Sequence, residues 1–199
     1  MKWIYGRQDW KTLERGLENC YLLTNGLGGF SSLTMTGAVA RNDHSVFMSC
    51  TKAPNHRINM IHRMKEELDI GESKYVLSTQ EFADGTKEEG YRYLTEFSFE
   101  TLPVWNYLIS GVEMEKEIVM AQGSNQIAVN YHLKNRGQKE AALCVTPFFQ
   151  FEPKGEDLKE DKIFSRQAQK ITDGKYDLFF ETNGKVEEFQ EKKETYFYR

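Results

Sequence analysis

The chain has 199 residues, and its 26 Lys and Arg against 30 Asp and Glu give a formal net charge of −4. This length fits one domain with a single sizeable core, and the charge excludes a strongly basic nucleic-acid binder that relies on counterion release. With 39% hydrophobic and 13% aromatic residues, the composition excludes a disordered chain, and no apolar run approaches the ~20 residues that span a bilayer.

The amino-terminal segment lacks the apolar stretch of a secretory signal peptide, so we expect a cytoplasmic protein. Three cysteines, Cys20, Cys50 and Cys144, lie far apart and form no CxxC pair. We therefore expect reduced, inert thiols rather than a disulfide framework. Charged residues and helix formers predict short helices over residues 8–19 and 154–169.

The first candidate site is a glycine-rich segment over residues 24–32, where three of the four positions from 26 to 29 are glycine. It lacks the Lys-Ser/Thr of a P-loop, and a strand-like alternation rather than a helix follows it. It is either a tight connection between strands or a loop that presents backbone groups to a ligand or a neighbouring domain. Its candidate residues are Asn25, Gly26, Gly28, Gly29, Phe30 and Ser31.

A polar turn with Arg41 and His44 follows. These two side chains, three residues apart, could hydrogen-bond a sugar or a phosphate. They could equally hold a loop in place through backbone groups.

From about residue 30 onward, apolar residues mostly recur at every second position, which is the period of a β-strand. The alternation is clearest over residues 58–64, 91–99, 112–120, 127–133 and 143–151. Turn-forming sequences separate the runs: Asp84-Gly85, Ser110-Gly111, Gly123-Ser124-Asn125, Asn135-Arg136-Gly137, Asp173-Gly174 and Asn183-Gly184. This spacing predicts an all-β protein, a large antiparallel two-sheet β-sandwich of about a dozen strands.

Other side chains are weaker candidates. Trp105 and Tyr107 share one strand face and could stack on sugar rings, or they could fill the core. Glu113, Glu115 and Glu117 share another strand face, which is either a solvated surface or an acidic site. The four histidines show no metal-ligand spacing, so we expect neither a metal nor a cofactor.

Together, several blocks of the sequence resemble the amino-terminal domain of bacterial and archaeal glycogen debranching enzymes. That family carries a Leu-Thr-Asn-Gly-x-Gly-Gly-Tyr/Phe segment, matched here by residues 23–30, and a Thr-Arg-x-Tyr-His-Gly segment, of which Arg41 and His44 are retained. Asp43 and Ser45 depart from the second motif. Further blocks lie at residues 65–68, 75–79, 89–94, 115–120 and 147–151, and the resemblance covers about residues 17–155.

The resemblance implies a supersandwich-like domain that precedes an (α/α)6 toroid similar to glucoamylase catalytic domains. In the family, the toroid carries the carboxylates that hydrolyse α-1,6-glucosidic branches, so we assign no catalytic residue to this chain. The implied partners are the helical domain of the same polypeptide and an α-glucan, with no nucleic acid and no membrane. The residues of the glycine-rich segment, with Arg41 and His44, are expected at the domain interface or the substrate entrance.

Two alternatives are a free-standing α-glucan-binding module and a purely structural domain. We expect residues 1–199 to form a single β-sandwich domain, with the helical toroid absent. Three adjacent aromatic residues at 196–198 favour a chain that is cut before its partner domain.

Overall fold

β-Strands dominate the computed structural model, which describes residues 1–188 and 193–198. In these residues there are sixteen strands: β1 Trp3–Gly6, β2 Leu23–Thr24, β3 Phe30–Ser32, β4 Ser45–Lys52, β5 His56–Ile70, β6 Ser73–Val76, β7 Thr79–Glu81, β8 Lys87–Glu89, β9 Leu94–Phe99, β10 Pro103–Ile109, β11 Val112–Met120, β12 Ile127–Asn135, β13 Ala141–Pro153, β14 Ser165–Gln167, β15 Lys170–Thr172 and β16 Asp177–Phe179. The helices are short: 3-10 turns at Arg7–Trp10 and Gly90–Arg92, and α1 at Leu13–Gly16. Within the described ranges, none has the length and apolar character needed to cross a bilayer.

Two antiparallel sheets hold most of these strands. The first has the order β1-β9-β10-β11-β12, and the second has the order β13-β5-β4-β3-β2 with β6 also beside β5. The smaller sheets are β14-β15-β16 and the hairpin β7-β8. Apolar side chains of both large sheets form one shared core, which confirms the predicted all-β sandwich.

The turn sequences lie where the alternation predicted them. Ser110 and Gly111 join β10 to β11 with φ angles of 48° and 85°, a left-handed conformation typical of tight hairpins. Asp84-Gly85 likewise joins β7 to β8, and its Gly85 has a φ of 83°. The turn sequences and the alternation of apolar residues therefore agree in predicting the consecutive antiparallel strands β9 to β12.

The two helix predictions differ in outcome. Residues 8–19 contain α1 and most of the first 3-10 turn. The prediction over residues 154–169 is wrong, because this stretch contains no helix and ends in β14. Within this stretch, Nζ of Lys162 lies 3.0 Å from a carboxylate oxygen of Glu152 and 2.8 Å from one of Asp173. These ion pairs anchor the loop to the flanking segments.

Strand β11 alternates strictly between the core and the outer face of its sheet. Glu113, Glu115 and Glu117 are half-buried on the outer face, where Arg136 lies 2.8 Å from Glu113 and Asn130 donates to Glu117 at 2.8 Å. Lys116 points inward. These contacts fit the interpretation of the carboxylates as an outer sheet face.

Inside the sandwich, Lys116 forms an ion pair that joins the two large sheets. Its Nζ lies 2.6 Å from Oε1 of Glu66 on β5, and both side chains are almost fully buried. Tyr131 on β12 donates its hydroxyl to the same oxygen at 2.8 Å. The ring of Trp105 lies 5.3 Å from the ammonium, so a carboxylate, a phenol and an indole surround the charge.

Of the two roles considered for Trp105 and Tyr107, their placement supports core filling and contradicts sugar stacking. Trp105 is 0% exposed, and its indole N–H donates to the carbonyl oxygen of Met35 at 3.0 Å. Tyr107 is 5% exposed, and burial raises the pKa of its hydroxyl well above the usual value. Neither ring offers a face to solvent, because both point into the core.

The aromatic residues near the end of the chain make contacts within the domain. The rings of Tyr196 and Tyr198 lie 4.8 and 6.4 Å from the imidazole of His62. Thr195 accepts a backbone hydrogen bond from Ala83 at 2.9 Å, beside the β7-β8 hairpin. The N–H of Phe197, between the two tyrosines, donates to the Glu81 carbonyl at 3.1 Å, while Arg199 lies outside the described residues.

We predict that Glu66→Gln destabilises the protein by about 3–5 kcal/mol, because it leaves the buried ammonium of Lys116 without a carboxylate. The matched Glu113→Gln change removes an exposed ion pair and costs less than about 1 kcal/mol. Urea unfolding of both variants measures the difference. Equal losses of stability would contradict the role given to the buried pair.

Candidate functional site

The glycine-rich segment is organised by one buried side chain, Asn25, which is 0% exposed. Its Oδ1 accepts the backbone N–H groups of Leu27 at 2.9 Å and Gly29 at 3.0 Å. The backbone N–H of Asn25 donates to the Gly29 carbonyl at 3.2 Å. An asparagine readily folds the backbone that follows it in this way. Residues 25–32, called here the glycine loop, thus start as a closed turn.

The same side chain fastens the glycine loop to the opposite sheet. Asn25 Nδ2 donates to the Ser124 carbonyl at 2.9 Å and to Asn125 Oδ1 at 3.2 Å. The N–H of Gly123 donates to the Asn25 carbonyl at 2.8 Å. Residues 123–125 form the turn between β11 and β12, so these bonds cross from one sheet of the sandwich to the other.

Asn125 extends the connection to a third segment. Its Oδ1 also accepts the N–H of Cys50 at 2.9 Å, and its Nδ2 donates to the Cys50 carbonyl at 2.8 Å. This two-bond pairing imitates the contact of a neighbouring strand along the edge of β4. The loop, the β11-β12 turn and β4 therefore meet at two asparagine side chains.

Two glycines let the loop lie directly against its neighbours. Gly28 has a φ of 102°, and a Cβ there would lie 2.5 Å from the carbonyl oxygen of Pro54. A Cβ on Gly29 would lie 2.7 Å from Asn25 Nδ2. The side chain of Arg57 closes the contact, because its Nε donates to the Gly28 carbonyl at 2.6 Å. The close packing supports the tight-connection interpretation of these positions.

The end of the loop continues into β3 with its side chains divided between core and surface. Ser31 is buried and shares a 2.7 Å hydrogen bond with the hydroxyl of Tyr21. Phe30 is half-buried, and the Arg57 guanidinium lies 6.0 Å from the centre of its ring. Phe30 is thus accessible in part, whereas Ser31 belongs to the support of the loop.

Arg41 and His44 have different roles. His44 is 2% exposed. Its Nδ1 lies 3.1 Å from the backbone nitrogen of Ala40, and its Nε2 lies 3.1 Å from Nε of Arg41. Burial, and then the charge of Arg41, lower the pKa of His44 to about 4, so the ring is neutral at pH 7 and offers an acceptor nitrogen to the arginine. His44 therefore positions Arg41, whose side chain is 53% exposed.

These groups border a cleft of about 440 Å³ beside the glycine loop. Its lining comprises Cys20, Tyr21, Leu22, Thr24, Gly28, Gly29, Phe30, Ser32, Arg41, Asp43, Arg57 and Lys154. Lys154 reaches the cleft from the end of β13, where the Gly155 carbonyl accepts a hydrogen bond from Asn42 at 3.0 Å. The cleft thus combines backbone, aromatic and cationic surfaces from three parts of the chain.

Asp43 supplies the carboxylate of the cleft. Its oxygens lie 3.1 Å from Lys154 Nζ and 3.8 Å from Arg41 Nε. Burial raises the pKa of Asp43, but the hydrogen bond and charge of Lys154 and the charge of Arg41 outweigh it, and the pKa is lowered overall. The carboxylate is ionised at pH 7 and holds the two cations beside each other.

The structure therefore divides the residues singled out in the sequence. Gly28, Gly29, Phe30 and Arg41 line the cleft, Gly26 is exposed but is not part of its lining, and Asn25, Ser31 and His44 are buried. Sequence reasoning missed Arg57, Lys154 and Asn125. Arg57 lies in the alternating run of β5, and Lys154 and Asn125 lie in turns, so no local signal marked them.

We predict that Gly28→Ala destabilises the protein more than Gly85→Ala. Both glycines have positive φ angles, which cost an alanine about 1–2 kcal/mol. Only at Gly28 would the new methyl group also meet a backbone oxygen, since a Cβ at Gly85 has nothing within 4 Å. Thermal unfolding of the two variants compares them, and equal shifts would contradict the close packing of the loop.

The chain matches the family described as "Glycogen debranching enzyme N terminal" over residues 19–199. The motifs indicated about residues 17–155, and the match extends past that region to include residues 156–199. Separately, a 61-residue stretch (31% of this chain) is 36% identical to the membrane protein insertase YidC of Thiobacillus denitrificans (strain ATCC 25259 / T1). The chain spans only 11% of that protein, so this similarity shows no family.

The comparison with solved structures finds no match. The family match covers most of the sequence, and the motifs that suggested it include the asparagine and glycines that build the loop described above. The chain belongs to the family of glycogen debranching enzyme amino-terminal domains.

Proposed function

We propose that this domain packs against a helical catalytic domain in a glycogen debranching enzyme and helps to shape the entrance for a branched α-glucan. The observation that carries the proposal is the glycine loop, which is fastened by the buried Asn25 and its partner Asn125 and leaves Phe30 and Arg41 accessible. A loop fixed in this way loses little conformational entropy when a surface or a glucan binds to it.

The reaction of the whole enzyme would be hydrolysis of α-1,6-glucosidic branches. Such hydrolysis needs a carboxylic acid to protonate the leaving oxygen and a carboxylate to activate water. The resemblance implies that both belong to the helical domain, and we assign neither to this chain. The contribution of this domain is positional: Arg41, held by His44 and Asp43, would donate hydrogen bonds to glucan hydroxyls or to the facing domain. The proposed compartment is the cytoplasm.

The alternative of a free-standing α-glucan-binding module loses its main candidates, because Trp105 and Tyr107 lie in the core. A module of that kind recognises sugars through exposed aromatic faces. Trp3 is exposed on β1, but it lies on an edge strand away from the lining of the cleft. We therefore favour the packing role.

We predict that Arg41→Ala in the full-length enzyme raises KM for a branched glucan about three- to tenfold while kcat changes less than about twofold, because a binding contact is lost and the chemistry is not. The matched control is Arg136→Ala, which removes an exposed arginine paired with Glu113 on the outer sheet face. Initial-rate kinetics with branched and linear glucans measure both.

Unchanged KM in Arg41→Ala would contradict a role at the entrance and support the purely structural alternative. Titration of the present chain with glycogen distinguishes the binding-module alternative from the packing role. A binding module is expected to give saturable heat. The proposed packing role predicts no such heat from the domain alone.

A further inference from the structure

The charge of the cleft is not balanced. Its lining contains three cations, Arg41, Arg57 and Lys154, and one carboxylate, Asp43, which leaves a net charge of +2. Asp43 is shared between Lys154 and Arg41. The cleft therefore has spare positive charge beside a loop whose backbone is already fixed.

Arg57 is the source of much of this excess. The side chain is half-buried, with its Nε on the Gly28 carbonyl and its guanidinium near the ring of Phe30. Among residues 1–188 and 193–198, no carboxylate forms an ion pair with it. A guanidinium in this position keeps its terminal N–H groups for an oxyanion, and its planar fork suits a phosphate.

The remaining walls suit a sugar ring. Phe30 and Leu22 offer apolar surface, and Thr24 adds a hydroxyl group at the same rim. At about 440 Å³, the cleft falls in the size range of small-molecule sites and is much larger than a phosphate group alone needs. Apolar faces next to hydroxyl and cationic groups match a pyranose that carries an anionic substituent.

We propose that this cleft binds a sugar phosphate, with the phosphate near Arg57, Arg41 and Lys154 and the sugar ring against Phe30. The inference goes beyond the packing role proposed above. Binding is measured on the present chain, whereas the packing role is tested by kinetics of the full-length enzyme, so one can fail without the other.

The test is isothermal titration of the chain with glucose 6-phosphate, inorganic phosphate, maltose and adenosine monophosphate at one fixed ionic strength. We expect saturable binding of glucose 6-phosphate that is at least about tenfold tighter than that of the other three probes. Four results would each overturn the proposal: no saturable heat with glucose 6-phosphate, or equal or tighter binding of inorganic phosphate, of maltose or of the nucleotide.

Charge variants test the location of the site. Lys154→Gln lowers the net charge of the cleft to +1 and should weaken glucose 6-phosphate binding several-fold, whereas Asp43→Asn raises it to +3 and should strengthen binding. Arg136→Gln, which removes a cation from the outer sheet face, is the matched control and should leave the affinity unchanged. An affinity that does not follow this order would place the ligand elsewhere and overturn the assignment.

Lys154 and Asp43 are chosen because neither contacts the glycine loop backbone. Arg57→Gln should abolish binding, but it also removes the hydrogen bond to Gly28. For this reason the variants at Lys154 and Asp43 decide the question. Thermal unfolding of each variant without ligand shows that the fold is retained.

Discussion

The geometry of the site depends on two asparagines, the buried Asn25 and the more exposed Asn125, that join the two sheets. Asn25 closes the glycine loop through its carbonyl oxygen and reaches the β11-β12 turn through its amide nitrogen. Oδ1 of Asn125 accepts a hydrogen bond from Nδ2 of Asn25, and the side chain of Asn125 also bonds the backbone N–H and carbonyl of Cys50 on β4. Asn25 is buried, and a buried amide is costly unless its polar atoms are paired; here both its oxygen and its nitrogen have partners. The loop is consequently fixed to the sandwich and not only to its own ends.

Other buried polar groups serve the same architecture at different positions. The Lys116–Glu66 pair and the Tyr131 hydroxyl connect β11, β5 and β12 in the interior. His44, buried and neutral, holds Arg41 at the surface. In each case an inward-facing group determines where an outward-facing group or a neighbouring strand lies. A functional surface on such a support needs little reorganisation to bind a ligand or a second domain.

Much of the fold was predictable from the sequence, because strand period and turn chemistry are local signals. The alternation over residues 112–120 predicted β11, and Ser110-Gly111 predicted the turn before it. The helix expected over 154–169 failed, because helix formers and charges there serve ion pairs such as that of Lys162 with Asp173, and charge content alone does not separate a helix from an anchored loop.

The site was predictable only in part. The glycines and Arg41 stand out in the sequence, and the family resemblance to debranching enzymes rests on the same residues. Their partners do not stand out: Asn25 meets Asn125 a hundred residues later, and Asn42 meets Gly155 across 113 residues. Burial of His44 was equally hidden, because a polar residue in a turn gives no local sign that other parts of the chain cover it.

Amide hydrogen exchange at Leu27 and Gly29 tests most directly whether the glycine loop is held from the opposite sheet. The Asn125→Ala variant leaves their acceptor, Asn25 Oδ1, and the backbone contacts of Asn25 with Gly123 and Ser124 in place, and removes the side-chain bonds of Asn125 to Asn25 and Cys50. If the cross-sheet contact fixes the loop, exchange of both amides accelerates at least about tenfold relative to the parent, while amides in the centre of β11 keep their protection. Unchanged exchange at Leu27 and Gly29 would contradict the account and show that Asn125 does not fix the loop.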